Sequence, residues 1–563
     1  METIVSIGNQ GFDRLREEGS FYIDKTYFIK EWWESRDVIT LITRPRRFGK
    51  TLNMNMLYCF FSNQYAGRDD LFENLSIWKE EKYKKLQGTY PTVFLSFAGI
   101  KADNLEDAKS QIKLQIAGLY EQNRYLLETN LLSDNEKNMY QSMTMTMTMS
   151  DVECCAAINQ MCLYLSRYYK KNVIVLLDEY DTPMQEAYTH GYWNEFTAFI
   201  RNLFNSTFKT NQYLERGIMT GITRVSKKSV FSDLNNLNVV TTTSDEYSTC
   251  FGFTQEEVTS ALELFGCMDQ LEEVQKWYDG FTFGSSRDIY NPWSITNYLD
   301  KKRFSPYWAA TSSNGLINRL IQSASAEVKM YMEDLLKDKE IIVNFDEQIV
   351  FDQLDSNKDA IWSLLVASGY LKVEKVEYHG ILRKPWYHLR ITNLETYGIF
   401  SDMFLGWFDS SASNYNAFVD ALLQGDLKAM NAYMNDVALT TFSNFDTGTH
   451  PSGKTQPERF YHGFVLGLLV ELRESYDIRS NRESGYGRYD VMLIPKNHKK
   501  TAYVLEFKVL DTDEEESLED TVHAALYQIE EKKYDTELLS LGIERNNIRH
   551  YGFAFQGKKV LIG

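Results

Sequence analysis

Ile42-Thr43-Arg44-Pro45-Arg46-Arg47-Phe48-Gly49-Lys50-Thr51, continued by Leu52-Asn53-Met54-Asn55-Met56-Leu57, is the stretch that decides the fold. Val38 to Ile42 reads as an apolar strand, the basic segment as a loop, and Gly49-Lys50-Thr51 as the opening of a helix. A phosphate-binding loop needs that order. N–H groups at the helix N-terminus face the phosphates, Lys50 reaches the β/γ oxygens, and the Thr51 hydroxyl holds Mg²⁺. Arg46, Arg47, Phe48 and Gly49 line the same loop. The usual first glycine of G-x-x-x-x-G-K-[ST] is replaced by Arg44. A bare Gly-Lys-Thr is weak alone, since most such triplets are helix starts with an exposed lysine, so the reading depends on partners downstream.

Two partners follow. Val173-Ile174-Val175-Leu176-Leu177-Asp178-Glu179 describes a fully buried strand whose C-terminal tip carries two carboxylates. In a parallel sheet, Asp178 sits beside a metal held by Thr51, and Glu179 polarises the water attacking the γ-phosphate. Arg216 to Arg224 is a third strand, after a helix at about 192–209; it places Thr223 to bond the γ-phosphate or the water. Arg224 fits a phosphate contact in cis or across a subunit interface. A salt bridge to Asp178 or Glu179 fits it equally well. Strands alternating with helices, with chemistry at strand C-terminal ends, imply a parallel sheet flanked by helices. A kinase-like phosphotransferase ranks low because no acceptor site or H-R-D-type loop is evident.

The remaining nucleotide module reads as a short strand and turn at Phe21 to Thr26 leading into a helix through Trp33, a buried strand Thr92 to Phe97, and helices at 104–127 and 151–170. Met143 to Met149 alternates Met and Thr and reads as a loop or helix lead-in. In the middle, Thr254 and Glu257 form a capping box. Trp277 to Phe281 and Tyr290 to Ser294 are aromatic turns whose packing role outweighs ligand contact. Helices at 315–338 and 358–369 and a hairpin over 370–392 complete a mostly helical lid or coupling region.

Bulk composition narrows the classes. The 563 residues exceed one core, and 43% hydrophobic with 25% charged residues is ordinary for a water-soluble globular chain. The six cysteines show no zinc spacing and read as buried reduced thiols. With no leader pattern and no run of about 18 apolar residues, a cytoplasmic protein without membrane contact is expected. A net charge of −18 opposes attraction to nucleic acid over the whole surface, but leaves room for a local basic groove.

A second constellation lies far downstream. Gly487 to Pro495 reads as a strand, Lys496 to Lys500 as a turn, and Thr501 to Leu510 as a second strand. Asp490 and Glu506 are symmetric about residue 498, so an antiparallel hairpin sets them opposite each other. Glu506 and Lys508 share a face by the period of two. Two carboxylates and a lysine suit phosphodiester hydrolysis: Asp490 and Glu506 ligate Mg²⁺ with the Phe507 carbonyl, and Lys508 orients the water or offsets charge. Gln528 and Tyr534 follow as supports. Glu458, four residues before His462 on a preceding helix, offers another metal carboxylate or a plain surface position. The acidic run Asp511 to Asp520 reads as a solvated loop.

Two resemblances can now be named. Phe21 to Thr26, Arg44 to Thr51, Leu177-Asp178-Glu179-Tyr180-Asp181 and Thr220 to Arg224 resemble the bacterial AAA-ATPase-like family. Tyr461-His462-Gly463-Phe464, Asn481 to Asp490 and Glu506-Phe507-Lys508 look like the PD-(D/E)XK nuclease superfamily domain commonly fused to it. The resemblance implies an α/β chain: a P-loop NTPase-like parallel sheet at 1–240, a mostly helical region at 241–400, and a restriction-endonuclease-like α/β domain at 401–563. Arg44 matches this family's loop. The implied cofactors are ATP and Mg²⁺; the implied partner is nucleic acid, DNA ahead of RNA. A homo-oligomer follows if Arg224 or Arg47 acts in trans. The leading expectation is an Mg²⁺-dependent nuclease governed by ATP state, serving mobile-element or phage defence. The alternative is a nucleotide-dependent switch or assembly protein whose C-terminal domain binds nucleic acid or a protein partner without cutting. A scaffold with both halves degenerate requires nucleotide binding to fail.

Overall fold

Val, Ile and Leu runs bounded by polar tips pair into a parallel sheet of β1 (Ile39–Thr43), β2 (Thr92–Ser96), β3 (Val173–Asp178), β4 (Leu214–Gly221) and β5 (Leu237–Val240), in the order β2-β3-β4-β1-β5. The computed structural model describes residues 4–146, 149–223, 231, 234–308, 317, 320, 326–336, 338–347, 360–406, 415–441, 465–466, 468–469, 472, 475–484, 487–511, 515–556 and 559–563. The chain divides into two compact units, Met1–Leu316 with Ile342–Glu395, and Ile317–Ile341 with Thr396–Gly563.

In the first unit, β1 and β3 are buried along their whole length, as parallel strands covered on both faces must be. The register pairs Thr43 with Gly221 and Ser96 with Asp178, so the strand C-termini finish along one edge. The helix Lys50–Phe61 buries Met54, Leu57, Phe60 and Phe61 in a cluster with Ile174, Leu176 and Ile218 of the sheet and Phe28, Ile29 and Trp32 of the helix Tyr27–Ser35. Each such side chain contributes about 1.5–3 kcal/mol. Phe21 to Lys25 forms no strand, contrary to expectation. Asp24 instead accepts from the Thr26 N–H at 2.8 Å, the Thr26 hydroxyl at 2.6 Å and the Ser76 N–H at 2.6 Å, which turns the chain into the next helix.

The middle residues combine helices with short antiparallel sheets. β6 (Phe253–Thr254), β7 (Phe281–Phe283) and β8 (Ser286–Tyr290) pair in the order β6-β8-β7. The helices Gln255–Leu264, Leu271–Tyr278 and Pro292–Lys301 bury Val258, Leu262, Val274, Tyr278 and Ile295 in one cluster. The Thr254/Glu257 capping box forms as expected. A second small sheet runs β10-β11-β9, from β9 (Ile341–Val343), β10 (Leu371–His379) and β11 (Lys384–Ile391), with the buried helix Ala360–Ala367 between β9 and β10 in the chain.

The second unit carries the mixed sheet β12-β13-β14-β15-β16, made of β12 (Tyr476–Ser484), β13 (Gly487–Pro495), β14 (Ala502–Val509), β15 (Ile548–Gln556) and β16 (Lys559–Ile562). Only the β14–β15 pair is parallel, because the helix Leu518–Glu531 crosses over between those two strands. Its core gathers Met492, Val504, Ile529, Tyr534 and Leu538.

Candidate functional sites

The first site forms where β1 ends. Arg47 (φ 65°) and Gly49 (φ 80°) adopt left-handed backbone, which curls the loop so that successive N–H groups can face an anion. The helix that follows has no acidic residue in its own first turn, so its positive end can attract an anion. The surrounding cavity measures about 540 Å³, within the ~300–1,000 Å³ typical of small-molecule sites. Arg46 to Asn53, Asp178, Glu179, Lys25, Trp293 and the N-terminal residues Ser6 and Gly8 to Gln10 are among those that line it.

Arg44 points away from this cavity into the protein. Its side chain is fully buried, and its guanidinium donates to the carbonyls of Thr43 (2.9 Å), Thr241 (2.7 Å), Glu246 (3.2 Å) and Tyr247 (3.4 Å). The Phe283 ring lies 4.7 Å away and Phe251 5.6 Å. Burial pulls its pKa down to about 10, so it remains charged at neutral pH. The residue that replaces the usual glycine is therefore an internal strut tying the loop to the segment after β5.

The rest of the loop is gripped from the middle region. The Arg46 carbonyl accepts from the Trp308 indole at 3.1 Å. The Arg47 guanidinium lies 4.3 Å from the Trp293 ring, a cation–π contact, and Phe48 packs edge-on against Phe281 and Phe283. Trp293, whose turn reads from sequence as packing, thus both packs on the loop and lines the cavity.

The expected partners meet at the loop's other end. Thr51 donates to Asp178 Oδ2 at 2.8 Å, and Thr220 donates to Asp178 Oδ1 at 2.6 Å. Burial, then the Glu179 charge, raises the Asp178 pKa. Lys50 is buried; its Nζ donates to the Arg44 carbonyl at 3.1 Å and the Pro45 carbonyl at 3.0 Å, and lies 3.6 Å from Glu179 Oε1. Glu179 itself has left-handed backbone, φ 55°.

Thr223 is placed differently from the sequence expectation. Its hydroxyl and N–H both donate to Asp181 Oδ2 at 2.8 Å, and it does not line the cavity. Asp181, to which the sequence assigns no role, also takes the Ile222 N–H at 3.0 Å. Gly221 makes this possible: a Cβ there would lie 2.5 Å from Asp181 Oδ1 and 2.8 Å from the Tyr180 ring. The signal available in sequence was the third acid of Asp178-Glu179-Tyr180-Asp181, but its partner lies beyond the tip of the neighbouring strand β4. Arg224 falls outside the described residues.

The second site lies on the β13–β14 hairpin. Val491 pairs with Leu505 and Leu493 with Tyr503; one step further sets Asp490 beside Glu506, as the symmetry about residue 498 requires. Asp490 Oδ2 accepts the Phe507 N–H at 2.8 Å. Phe507 turns to the opposite face and stacks on Phe553 at 4.8 Å, so Glu506 and Lys508 share the working face. Glu506 is buried and accepts from Gln528 Nε2, which also meets the Tyr534 hydroxyl at 3.1 Å. Burial pushes that phenol up to about 12. Gly552, paired with Glu506 on β15, lets the helix bearing Gln528 come close: a Cβ there would lie 2.9 Å from the Val522 carbonyl. Glu458 and His462 lie outside the described residues. Among the described residues, no group of three or more His, Cys, Asp or Glu side chains converges on a point, and no helix is long and apolar enough to cross a membrane. All six cysteines are buried and unpaired.

The donor chemistry at both places is hard oxygen, a hydroxyl and a carboxylate at the loop and two carboxylates on the hairpin, which fits Mg²⁺ rather than a soft metal. Comparisons with known proteins agree with this division. Residues 6–231 match the family model described as "Predicted AAA-ATPase" (AAA-ATPase-like), and residues 456–563 match the PD-(D/E)XK nuclease superfamily model. A protein of Azotobacter chroococcum mcd 1, described as "Uncharacterized protein in vnfD 5'region", is 25% identical over 546 residues, covering 94% of this chain and 92% of its own length. The likeness therefore spans both halves together. With its loop-bearing parallel sheet and its acid-bearing hairpin each matched in turn, the chain carries an AAA-ATPase-like domain followed by a PD-(D/E)XK nuclease superfamily domain.

Proposed function

We propose that the protein binds and hydrolyses ATP at the Arg44–Thr51 loop and cuts nucleic acid, DNA ahead of RNA, at the Asp490/Glu506 hairpin in an Mg²⁺-dependent manner. One observation carries the reading: a lysine and a glutamine-supported glutamate share a strand face beside a second carboxylate. Domains at 1–240, 241–400 and 401–563 divide the labour, with the middle region acting as a lid on the nucleotide. A cytoplasmic role in mobile-element or phage defence fits this combination.

At the nucleotide site, Lys50 leaves the Arg44 and Pro45 carbonyls for the β/γ oxygens, and Thr51 with Asp178 would hold Mg²⁺. Glu179 orients the attacking water, and its left-handed backbone aims the carboxylate from the strand tip toward Lys50. Thr223 acts through Asp181 rather than directly, and Arg224 remains a proposed phosphate contact. At the hairpin, Asp490 and Glu506 would hold Mg²⁺, aided by Glu458. Bound there, the metal would offset charge on the phosphate and lower the pKa of its water. Lys508 then positions that water or stabilises the charge building on the phosphate, and Gln528 fixes the Glu506 rotamer.

The test is cleavage of a panel of duplex and single-stranded DNA and RNA with Mg²⁺ or EDTA, with and without ATP. Lys508→Ala should lower cutting by about 10²–10³-fold, and Lys50→Ala should weaken ATP binding by about 10–100-fold by losing charge-assisted hydrogen bonds. Equal cutting by Lys508→Ala and the parent chain would refute the nuclease assignment. A second reading, a switch that binds nucleic acid or protein without cutting, draws on the fact that only two carboxylates meet among the described residues. Metal bound between Asp490 and Glu506 would count against it.

A further inference from the structure

We infer that the β10–β11 ribbon is a second nucleic-acid contact, taking a duplex at its tip. Over Leu371–Ile391 the ribbon carries Lys372, Lys375, Arg383, Lys384 and Arg390 against Glu374 and Glu377, a positive surplus in a protein of net charge −18, and both acids precede the tip. That local reversal of charge is where phosphate would be attracted.

The turn Gly380 to Arg383 is unusual for what it exposes. Gly380 (φ 71°) and Arg383 (φ 47°) carry the left-handed backbone that closes it. Between them stand Ile381, 101% exposed, and Leu382, 82% exposed, where turn chemistry favours Asn, Asp or Ser. The ribbon's root is anchored, with Tyr387 buried and stacked on Phe345 at 4.1 Å. Towards the tip, His379 pairs with Lys384, and Trp386 is partly exposed beside His379, ring centres 5.8 Å apart. Arg383 lies over the exposed Tyr378 ring at 5.4 Å. The ribbon's two acids are each met by a lysine, Glu377 by Lys375 at 2.5 Å and Glu374 by Lys372 at 2.8 Å, which leaves Arg383 and Lys384 as the cations at the tip.

A firmly rooted two-stranded ribbon with cations flanking an aliphatic tip matches how ribbons and apolar wedges engage duplex grooves: cations meet phosphates, and the wedge presses on a base step. The helix preceding the ribbon, Ala360–Ala367, is almost wholly buried and leaves this work to the ribbon. An anionic lipid surface would also attract cations and an apolar tip. The duplex is favoured because the same chain carries a nuclease-superfamily domain, and the inference rests on the reading of that domain as acting on nucleic acid.

The experiment measures binding of the full chain, carrying Lys508→Ala to keep the probe intact, to a fluorescein-labelled mixed-sequence DNA duplex by anisotropy at two salt concentrations. Arg383→Glu with Lys384→Glu should weaken binding about tenfold and reduce the salt slope by about two, one per phosphate contact. Ile381→Ser with Leu382→Ser should weaken binding a few-fold and leave the slope unchanged. ATP binding, measured alongside, should stay at the parent value and so report an intact fold. Unchanged duplex affinity in the charge-reversed chain overturns the inference. So does capture of the chain by phosphatidylcholine–phosphatidylserine vesicles that the Ile381/Leu382 variant loses while its duplex binding persists. Cutting by a chain with native Lys508, together with unchanged duplex affinity in the charge-reversed chain, refutes the ribbon alone. Ribbon-dependent binding without cutting supports the inference and refutes only the cleavage reading.

Discussion

The two sites are built in opposite ways. The nucleotide site gathers the ends of separate βα units: Thr51 meets Asp178, Arg44 reaches Thr241 and Tyr247, and Arg46 meets Trp308. Arg44, Lys50 and Asp178 are buried, and each is already hydrogen-bonded within the site. The hairpin site is made from one turn, one strand pair and one helix, with Asp490, Glu506, Lys508 and Gln528 close in sequence. A site assembled across a sheet depends on buried polar struts to hold its pieces; a site on a hairpin depends on register.

That contrast is broken most directly at Arg44. If the strut holds the loop, Arg44→Gly, which restores the usual first glycine, should harm the protein rather than improve it. It would empty a fully buried volume and leave the carbonyls of Thr43, Thr241, Glu246 and Tyr247 without their donor. Each buried carbonyl left unpaired costs roughly 1–3 kcal/mol, and the cavity adds to that. Amide exchange in β1 and β4 is the measurement of choice, because a chain of two units need not unfold in one step. Faster exchange there, with β13 and β14 unchanged, is the expected result. Unaltered exchange would mean that Arg44 is not a strut.

The same contrast explains what the sequence made legible. Asp490 opposite Glu506 followed from counting residues about 498, because hairpin register is local arithmetic. Lys50, Thr51, Asp178 and Glu179 were legible as strand and helix ends whose meeting the parallel topology requires. Thr223 was legible as a strand tip, yet its partner Asp181 was not. That bond depends on Gly221 allowing close approach between two βα units. Arg44 read as a missing glycine, since nothing local shows that its side chain turns inward to a segment some 200 residues later. Phe21 to Lys25 read as a strand from its apolar residues, and Asp24 capping overrode that pattern.

A weaker perturbation sharpens the hairpin side. Gly552→Ala puts a methyl group 2.9 Å from the Val522 carbonyl and 3.1 Å from the Ala525 Cβ, so the helix carrying Gln528 must lift from β15. Overpacking of this sort costs about 1–3 kcal/mol. Glu506 loses its support, and cutting should fall about tenfold while duplex binding and ATP binding hold. A variant that cuts as fast as the parent would show that register alone, without the Gln528 bond, sets the site.

The smallest expected effect concerns Asp181, where the buried network itself can be titrated. Its carboxyl is fully buried, and burial followed by the Glu179 charge raises its pKa above the ordinary carboxylate value. Donors from Ile222 and Thr223 converge on Oδ2, whereas Oδ1 is buried without a hydrogen-bond partner. A raised folded-state pKa means the folded chain binds this proton more tightly than the unfolded chain. The contribution of Asp181 is therefore greatest below the unfolded carboxylate pKa near 3.9, and it declines as pH rises through the raised folded value. Asp181→Asn keeps an oxygen for Thr223 and Ile222 but cannot ionise. Between acid and neutral pH, amide protection in β3 and β4, corrected for intrinsic exchange, should fall less in the variant than in the parent. Parallel pH profiles for variant and parent would place the charge on Asp181 elsewhere in the network, and would make the nucleotide site less dependent on buried polar struts than Arg44 implies.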